Sequence, residues 1–465
     1  MVDGAYYKDL LLPIFSGRRI VLVGLPLAGS TDLVKRLRSL GAARCLVIAS
    51  GPGTGAFPSE EDAEWVILEH RAASIVAEVH EIEHLMASPP PAAVDAMERY
   101  DPERVALVLA PIVTLGPIPS RMSGRQVWGG RPPASLALED KTTIDRFWDR
   151  IGVERAPSVV APVSVDALIG AHRRMNRGAG TVMAGDAREG LHGGAHLIRR
   201  ISDEQDLTRA LQLFGEHCDR VRVMPFLEGI PCSIHGLVFS DYSLAVRPVE
   251  LLTLRPVDRF TFLYAGAATF WDPLEGDRAY MRSVARRVGD AFRELVGTGA
   301  FTVDGVMTEA GWIPTELNPR FGAGLNVIAR CLSDLPLTLL CQALQGGEAL
   351  EYRPQELESL LISAADEHRS GGGWTVVKAP KHDTTEVKLA RENDAYRMAR
   401  EDEHGDGTLL VGPSNVGGFV RFTPEPAGTL VGQSIAPLVI AAFNLANREF
   451  GTGLGSLTAA RDVRR

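Results

Sequence analysis

Asp304, Glu316, Asn318 and Arg320 have the residue types and spacing to do chemistry together. Two apolar runs, Phe301 to Met307 and Trp312 to Leu317, are separated by a short polar turn and predict an antiparallel pair of strands. In such a pair Asp304 can lie opposite the end of the second strand, where Glu316 and Asn318, two residues apart, point to one face. Three hard oxygen ligands converging there suit Mg2+ shared with nucleotide phosphates. Arg320 has the same parity and can offer its guanidinium fork to a carboxylate or acyl phosphate. The turn Phe321-Gly322-Ala323-Gly324 leaves backbone amides open to oxyanions. The same residues would also serve as a polar strand end with a satisfied carboxylate and a glycine turn.

Other constellations are weaker. His80-Glu81-Ile82-Glu83-His84 would place two imidazoles on one helix face, as a zinc site needs. Pro89 to Pro91 end that helix, however, and no third ligand stands out, so a solvated helix is the plainer reading. Gly51, Gly53 and Gly55 follow a strand but lack dinucleotide-binding spacing, which favours a β-α loop. Gly24 to Ser30 has the outline of a phosphate loop without its lysine.

The elements that must position these residues change character along the chain. Arg18 to Val23, a helical pattern through Leu33, Val34, Leu37 and Leu40, and Cys45 to Ala49 read as β-α-β and imply a parallel sheet. Further apolar runs at 64–68 and 105–113 extend this α/β region to residue 135. Lys141 to Ile151 reads as a helix, Ser158 to Ala161 as a strand, and Ser202 with Gln205 as a capping box. Alternating segments at 221–226, 232–239 and 242–250 predict a half-exposed antiparallel sheet. A long helix spans 278–296, and residues past Pro354 read as a further domain with a helix at 435–446. No internal repeat is visible.

The whole is 465 residues with 45% hydrophobic and 23% charged residues, which predicts two to four globular domains. A net charge of -9 argues against nucleic acid as a partner. No run is long enough to span a bilayer, and the start lacks a signal-peptide pattern. Five cysteines without a C-x-x-C pair fit free thiols in a reducing cytoplasm. The basic residues are lopsided: six lysines stand against 43 arginines, and Lys141 is the only lysine between Lys35 and Lys378.

Here the chain resembles the ATP-grasp superfamily. The signature E-x-N-x-R is Glu316, Asn318 and Arg320, preceded by Asp304-Gly305. The nucleotide hinge matches Met224-Pro225-Phe226-Leu227-Glu228-Gly229, and the acid-Asp-Lys entry motif matches Glu139-Asp140-Lys141. The resemblance covers residues 136 to 350 with the motifs in order. It implies an α/β and α+β multidomain protein: a Rossmann-like α/β domain at 1–135, an ATP-grasp domain at 136–352 with a lid at about 151–223, and a C-terminal domain at 353–465 of undeclared role.

The resemblance also implies roles. ATP and Mg2+ would be the cofactors, with Asp304, Glu316 and Asn318 holding metal and Lys141 on phosphate. Backbone groups of Pro225 to Leu227 would read adenine, and Glu228 the ribose. Gly193 and Gly194 would belong to a loop, Glu189 to Gly194, that closes over the phosphates. Arg320 and the Gly322 to Gly324 amides would act on the acyl phosphate. Arg247, Glu250, Arg255 and Arg259 would face the second substrate. One departure stands out: Ala184 occupies the place of the family's second lysine, leaving Arg199 or Arg222 to supply that charge. The pattern is most similar to pheganomycin-type peptide ligases. It implies an amino-acid-like carboxylate joined to an amino-acid or peptide amine, no nucleic acid or membrane partner, and a homo-oligomer left open. A grasp enzyme of central metabolism and a nucleotide-binding protein without turnover are the alternatives.

Overall fold

The computed structural model describes residues 3–68, 70–110, 124–129, 133–190 and 193–464. Leu191 and His192 of the glycine-rich loop, and the end of the apolar run at 111–113, lie outside the described residues.

The first region is a five-stranded parallel sheet in the order β3-β2-β1-β4-β5: β1 (Ile20–Val23), β2 (Cys45–Ala49), β3 (Ala63–Ile67), β4 (Leu107–Ala110) and β5 (Gln126–Gly129). β1, β2 and β4 are buried on both faces, which explains their unbroken apolar runs. The loop at Gly51, Gly53 and Gly55 turns the chain and docks on a distant hairpin: Asn415 sits directly over Gly51, and Thr54 Oγ1 donates to Pro413 O at 2.6 Å.

A four-stranded antiparallel sheet follows in the order β6-β9-β7-β8: β6 (Val159–Pro162), β7 (Thr181–Gly185), β8 (Ile198–Ile201) and β9 (Arg220–Pro225). One face packs on two helices, Val165–Met175 and Glu204–His217, through Met183, Ile201, Val221 and Val223. The second helix is capped one residue later than the sequence suggested. Asp203 accepts from Asp206 N at 2.9 Å, and Asp206 accepts from Ser202 N at 3.0 Å, so two aspartates form the reciprocal cap in place of Ser202 and Gln205.

The largest sheet is antiparallel along β15-β14-β10-β12-β13-β16-β20-β19-β17-β18, with β11 (Ser243–Ala245) paired to β10 (Ile230–Val238). Its other strands are β12 (Val249–Pro256), β13 (Leu263–Ala268), β14 (Gly299–Thr308), β15 (Gly311–Asn318), β16 (Gly371–Val377), β17 (Thr385–Glu392), β18 (Ala395–Met398), β19 (Gly407–Ser414) and β20 (Gly417–Pro424). The pairing of β13 with β16 carries the sheet past residue 353 without a break, so residues 371–424 share the backbone ladder of the central region.

The helix Glu275–Leu295 covers one face of this sheet. It buries Met281, Val284, Ala285, Val288 and Phe292 at helical spacing against Ile230, Cys232, Ile234, Val303 and Met307. The opposite face carries Asp304, Glu316 and Asn318. All five cysteines are free and buried. Among the described residues no helix is long and apolar enough to cross a membrane.

Candidate active site

β14 and β15 pair so that Asp304 stands opposite Glu316 and Thr302 opposite Asn318. A register shift between Asp304 and Gly305 lets the pair end in a bulge. Asn318 Nδ2 donates to Asp304 Oδ2 at 2.8 Å and to Glu316 Oε1 at 3.3 Å, and Asn318 Oδ1 accepts from Arg320 Nη2 at 3.4 Å. The triad expected from sequence is therefore assembled.

Lys141 joins it. Its Nζ lies 2.9 Å from Glu316 Oε2, and its side chain is buried. Residues 141–143 form a turn, with the helix beginning only at Ile144; Asp140 accepts from Thr142 N at 2.8 Å and shapes that turn. Glu139 accepts from Arg320 Nε at 3.2 Å, so the entry motif and the signature grip each other across 181 residues of sequence.

The charges are unequal. Burial, then the neighbouring Glu316, pushes the Asp304 carboxyl well above the usual carboxylate range. Burial acts the same way on Glu316 but is outweighed by Lys141, which holds that group low. Asp304 Oδ1 is buried without a hydrogen-bond partner. An orphaned carboxylate oxygen of this kind, beside a second carboxylate and an amide, fits a divalent cation. The amide now turns Nδ2 to the carboxylates, and a half-turn would present Oδ1 there instead. His80 and His84 lie on the helix Ile75–Ala87, which ends before Pro89.

The turn after Arg320 is tight for a reason the sequence did not show. A Cβ on Gly324 would collide with the His235 ring, and one on Gly322 with Thr302 Oγ1. His235 is itself buried, its Nδ1 2.7 Å from Thr302 Oγ1 and its Nε2 3.0 Å from Ser233 Oγ. Burial lowers its pKa to about 3, so it packs there neutral. Gly322 caps the helix Ala323–Arg330, whose first amides are the donors a helix start exposes.

The second sheet closes the site from above. Parity in β7 and β9 puts Val182, Ala184, Arg222 and Met224 on the face turned toward β15, with Phe226 beyond them. The Phe226 ring lies 3.6 Å from the Arg200 guanidinium. Pro225 has no N–H, and Phe226 N donates to Gly180 O at 3.0 Å, so of the three hinge residues only Leu227 keeps an amide outside the ladder. Arg320 Nη2 is 3.9 Å from where a Cβ on Gly193 would stand, which places Gly193 beside Arg320; Gly194 follows in a left-handed conformation.

The four residues expected at the second substrate separate. Arg247 is fully buried, donating to Asp366 Oδ1 at 2.8 Å, to the Ala365 and Trp271 carbonyls and to Asp272. Glu250 is paired with Cys232 on the face opposite the triad. There it accepts from Ile435 N at 3.1 Å and from Ser434 Oγ, capping the helix Ala436–Phe450. Both are structural: alternating strand parity turns Glu250 away from the site, and Arg247, in the link between β11 and β12, is held by Asp366 and Asp272. Arg255 forks onto Glu228 at 2.8 and 3.0 Å, so it belongs to the hinge, and Glu228 is engaged before any ribose. Arg259 is exposed in a left-handed turn position.

Sequence reasoning missed Tyr264. A register shift in β12–β13 between Leu251 and Thr253 turns it to the triad face, where burial and then Asp304 raise its phenol pKa and Arg320 lowers it. In the linear pattern only Gly266, a glycine inside the run Leu263–Ala268, marks that bulge. Arg222, in contrast, shares parity with Met224 and Phe226 and was within reach of strand alternation.

No protein-family model and no curated protein matches this sequence. Solved structures do. The chain is similar to N5-carboxyaminoimidazole synthase from Aspergillus clavatus in complex with ADP and 5-aminoimidazole ribonucleotide, at 10% identity over 93% of this chain and 99% of that one, with a TM-score of 0.53. It is also similar to a biotin carboxylase–ATP-analogue complex from Campylobacter jejuni, at 12% identity over 88% and 87% of the two chains, TM-score 0.52. A third is the biotin carboxylase domain dimer of Hydrogenobacter thermophilus 2-oxoglutarate carboxylase with MgADP, ADP and bicarbonate, at 12% identity over 96% and 91%, TM-score 0.51. At these identities the likeness carries the fold alone, and that fold is the ATP-grasp fold behind a parallel α/β domain.

Proposed function

We propose that this protein is an ATP-dependent ligase that joins a carboxylate to an amine through an acyl phosphate. The observation that carries the reading is the joining of Lys141, Glu316, Asn318 and Asp304 in one buried cluster under the face of β7 and β9. A substrate carboxylate oxygen attacks the ATP γ-phosphorus and ADP leaves. The amine nitrogen then attacks the acyl carbon, the C–O bond to phosphate breaks, and nitrogen gives up its proton as the amide forms. Asp304, Glu316 and Asn318 would hold Mg2+, which supplies neutralisation of phosphate charge when bound. Lys141 is a compact charge on the phosphate side, and Arg320 is aimed by Glu139 and Asn318 toward the acyl oxygens.

The acid is amino-acid-like and the amine an amino acid or peptide, as the likeness to pheganomycin-type ligases implies. A second reading, a grasp enzyme of central metabolism, is favoured by the solved structures of similar fold, which include an aminoimidazole ribonucleotide complex. A binder without turnover is disfavoured by the complete triad. The test is ADP release with candidate acids and amines. The wild type should form ADP and an amide, and Glu316→Gln should lose both; folded protein that makes neither with any pair removes the reading.

A further inference from the structure

Beyond Tyr264, the triad face of the large sheet continues into a cavity of about 130 Å3. Its floor is built by Ala267, Gly372, Trp374, Arg421 and Thr423, all on that face by register. The helix Ala323–Arg330 forms the opposite wall through Ala323, Asn326, Val327 and Arg330, positions that share one helical face. Trp374 packs edge-on against Tyr264 at 5.6 Å between ring centroids, linking the cavity to the residue beside Asp304 and Arg320.

Two guanidiniums face this cavity. Arg421 is paired with Trp374 across β16 and β20, and Arg330 ends the helix wall. Both are exposed at its mouth. Among the described residues neither has an ion pair or a side-chain hydrogen bond. That contrasts with Arg222, Arg247, Arg255 and Arg320, each matched to a carboxylate. Partial desolvation of the guanidinium against the helix wall, and then the charge of Arg421, lowers the Arg330 pKa, with Cys331 and Asp32 opposing the shift. Two like charges kept together without a counter-ion favour an anion between them. Asn326 and Thr423 add neutral hydrogen-bonding groups on the same lining.

We infer that the cavity between Arg330 and Arg421 is a subsite for a terminal oxyanion, a carboxylate or a phosphate, on the organic substrate whose other end reacts at Arg320. Seven residues of helix separate Ala323 from Arg330, a rise of about 10 Å. The substrate must therefore reach about that far past the Gly322 turn, the span of about three extended amino-acid residues. This inference rests on the ligase reading for what reacts at Arg320, but the anion site itself needs no turnover.

Full-length protein saturated with MgADP is titrated calorimetrically with inorganic phosphate and, separately, with succinate, in the wild type, Arg330→Gln and Arg421→Gln. At least one anion should bind the wild type, weakening roughly ten- to a hundredfold in each variant, as loss of a charge-assisted hydrogen bond predicts. MgADP affinity should be unchanged in both. Tighter phosphate than succinate binding identifies a phosphorylated substrate, and the reverse a carboxylate. Failure of both anions to bind, or binding that neither variant weakens, overturns the inference. Failure of MgADP to bind, or ADP release that survives Glu316→Gln, would instead sink the ligase reading and leave the anion result standing.

Discussion

Ala184 on β7 and Arg222 on β9 are directly opposite each other across a backbone pair, and their side chains share the face turned to the triad. Arg222 is buried and forks onto Asp145, with Nη2 2.7 Å from Oδ1 and Nε 3.1 Å from Oδ2; its Nη1 donates to Thr315 O at 3.3 Å, next to Glu316. Arg199, the other candidate for the missing lysine charge, pairs with Met183 on the opposite face and bonds the carbonyls of Ala195, His196 and Ile198. A cation therefore stands on the neighbouring strand opposite Ala184, paired with Asp145.

Arg222→Ala should raise the KM for ATP roughly ten- to a hundredfold, the worth of one charged hydrogen bond. Ala184→Lys in that background should recover part of the loss, because a lysine there rises from the paired position on the same face. ATP titrations of ADP release measure both. A purely structural Arg222 would lower the melting temperature without any recovery of KM in the double variant.

Gly324→Ala should destabilise the fold by about 1–3 kcal/mol, the usual magnitude for overpacking. The added methyl meets the His235 ring, which Ser233 and Thr302 hold in place. Denaturant unfolding reads the change. An alanine variant as stable as the wild type would show that His235 can move aside.

Glu250 gives a pH signature. Burial raises its carboxyl pKa from 4.5 to about 7, with Ser434 and Ile435 opposing the shift. A carboxyl whose pKa is raised on folding adds stability that is complete below its unfolded pKa and is lost as pH rises through the folded value. Melting curves between pH 4.5 and 8 should therefore move in favour of Glu250→Gln, relative to the wild type, as pH rises. The full swing is on the order of 3 kcal/mol. A difference independent of pH would mean that Glu250 stays ionised throughout.

Arg255→Met releases Glu228 from its bidentate partner and removes a guanidinium 5.0 Å from the Phe226 ring. The variant should bind MgADP several-fold more weakly while kcat at saturating ATP changes little, because the pair shapes the hinge and does not touch the phosphates. Equilibrium binding alongside steady-state kinetics separates the two. A fall in kcat with unchanged ADP affinity would place Arg255 with the second substrate instead.

The sequence by itself determined the parallel sheet and the antiparallel character of the central strands, since buried runs and alternating strands write their environment into residue order; that 220–225 and 230–256 belong to two different sheets, and that 371–424 extend the larger one, was decided by the fold. The sequence also determined the triad, because Glu316 and Asn318 share a face by parity and Asp304 lies one hairpin away. Lys141 was legible through scarcity, as the lone lysine in a long arginine-rich stretch. Tertiary structure alone decided the rest. Arg247 and Glu250 have the charges expected of substrate residues, but Arg247 is held by Asp366 and Asp272 between two strands, and strand parity sends Glu250 to Ser434 on the other face. Tyr264 reaches the site only because a bulge reverses its face. Whether a charge is matched depends on what the fold sets beside it. That is why Arg222, Arg330 and Arg421 are indistinguishable as letters, while in the folded protein one is locked to Asp145 and two stand open across a cavity.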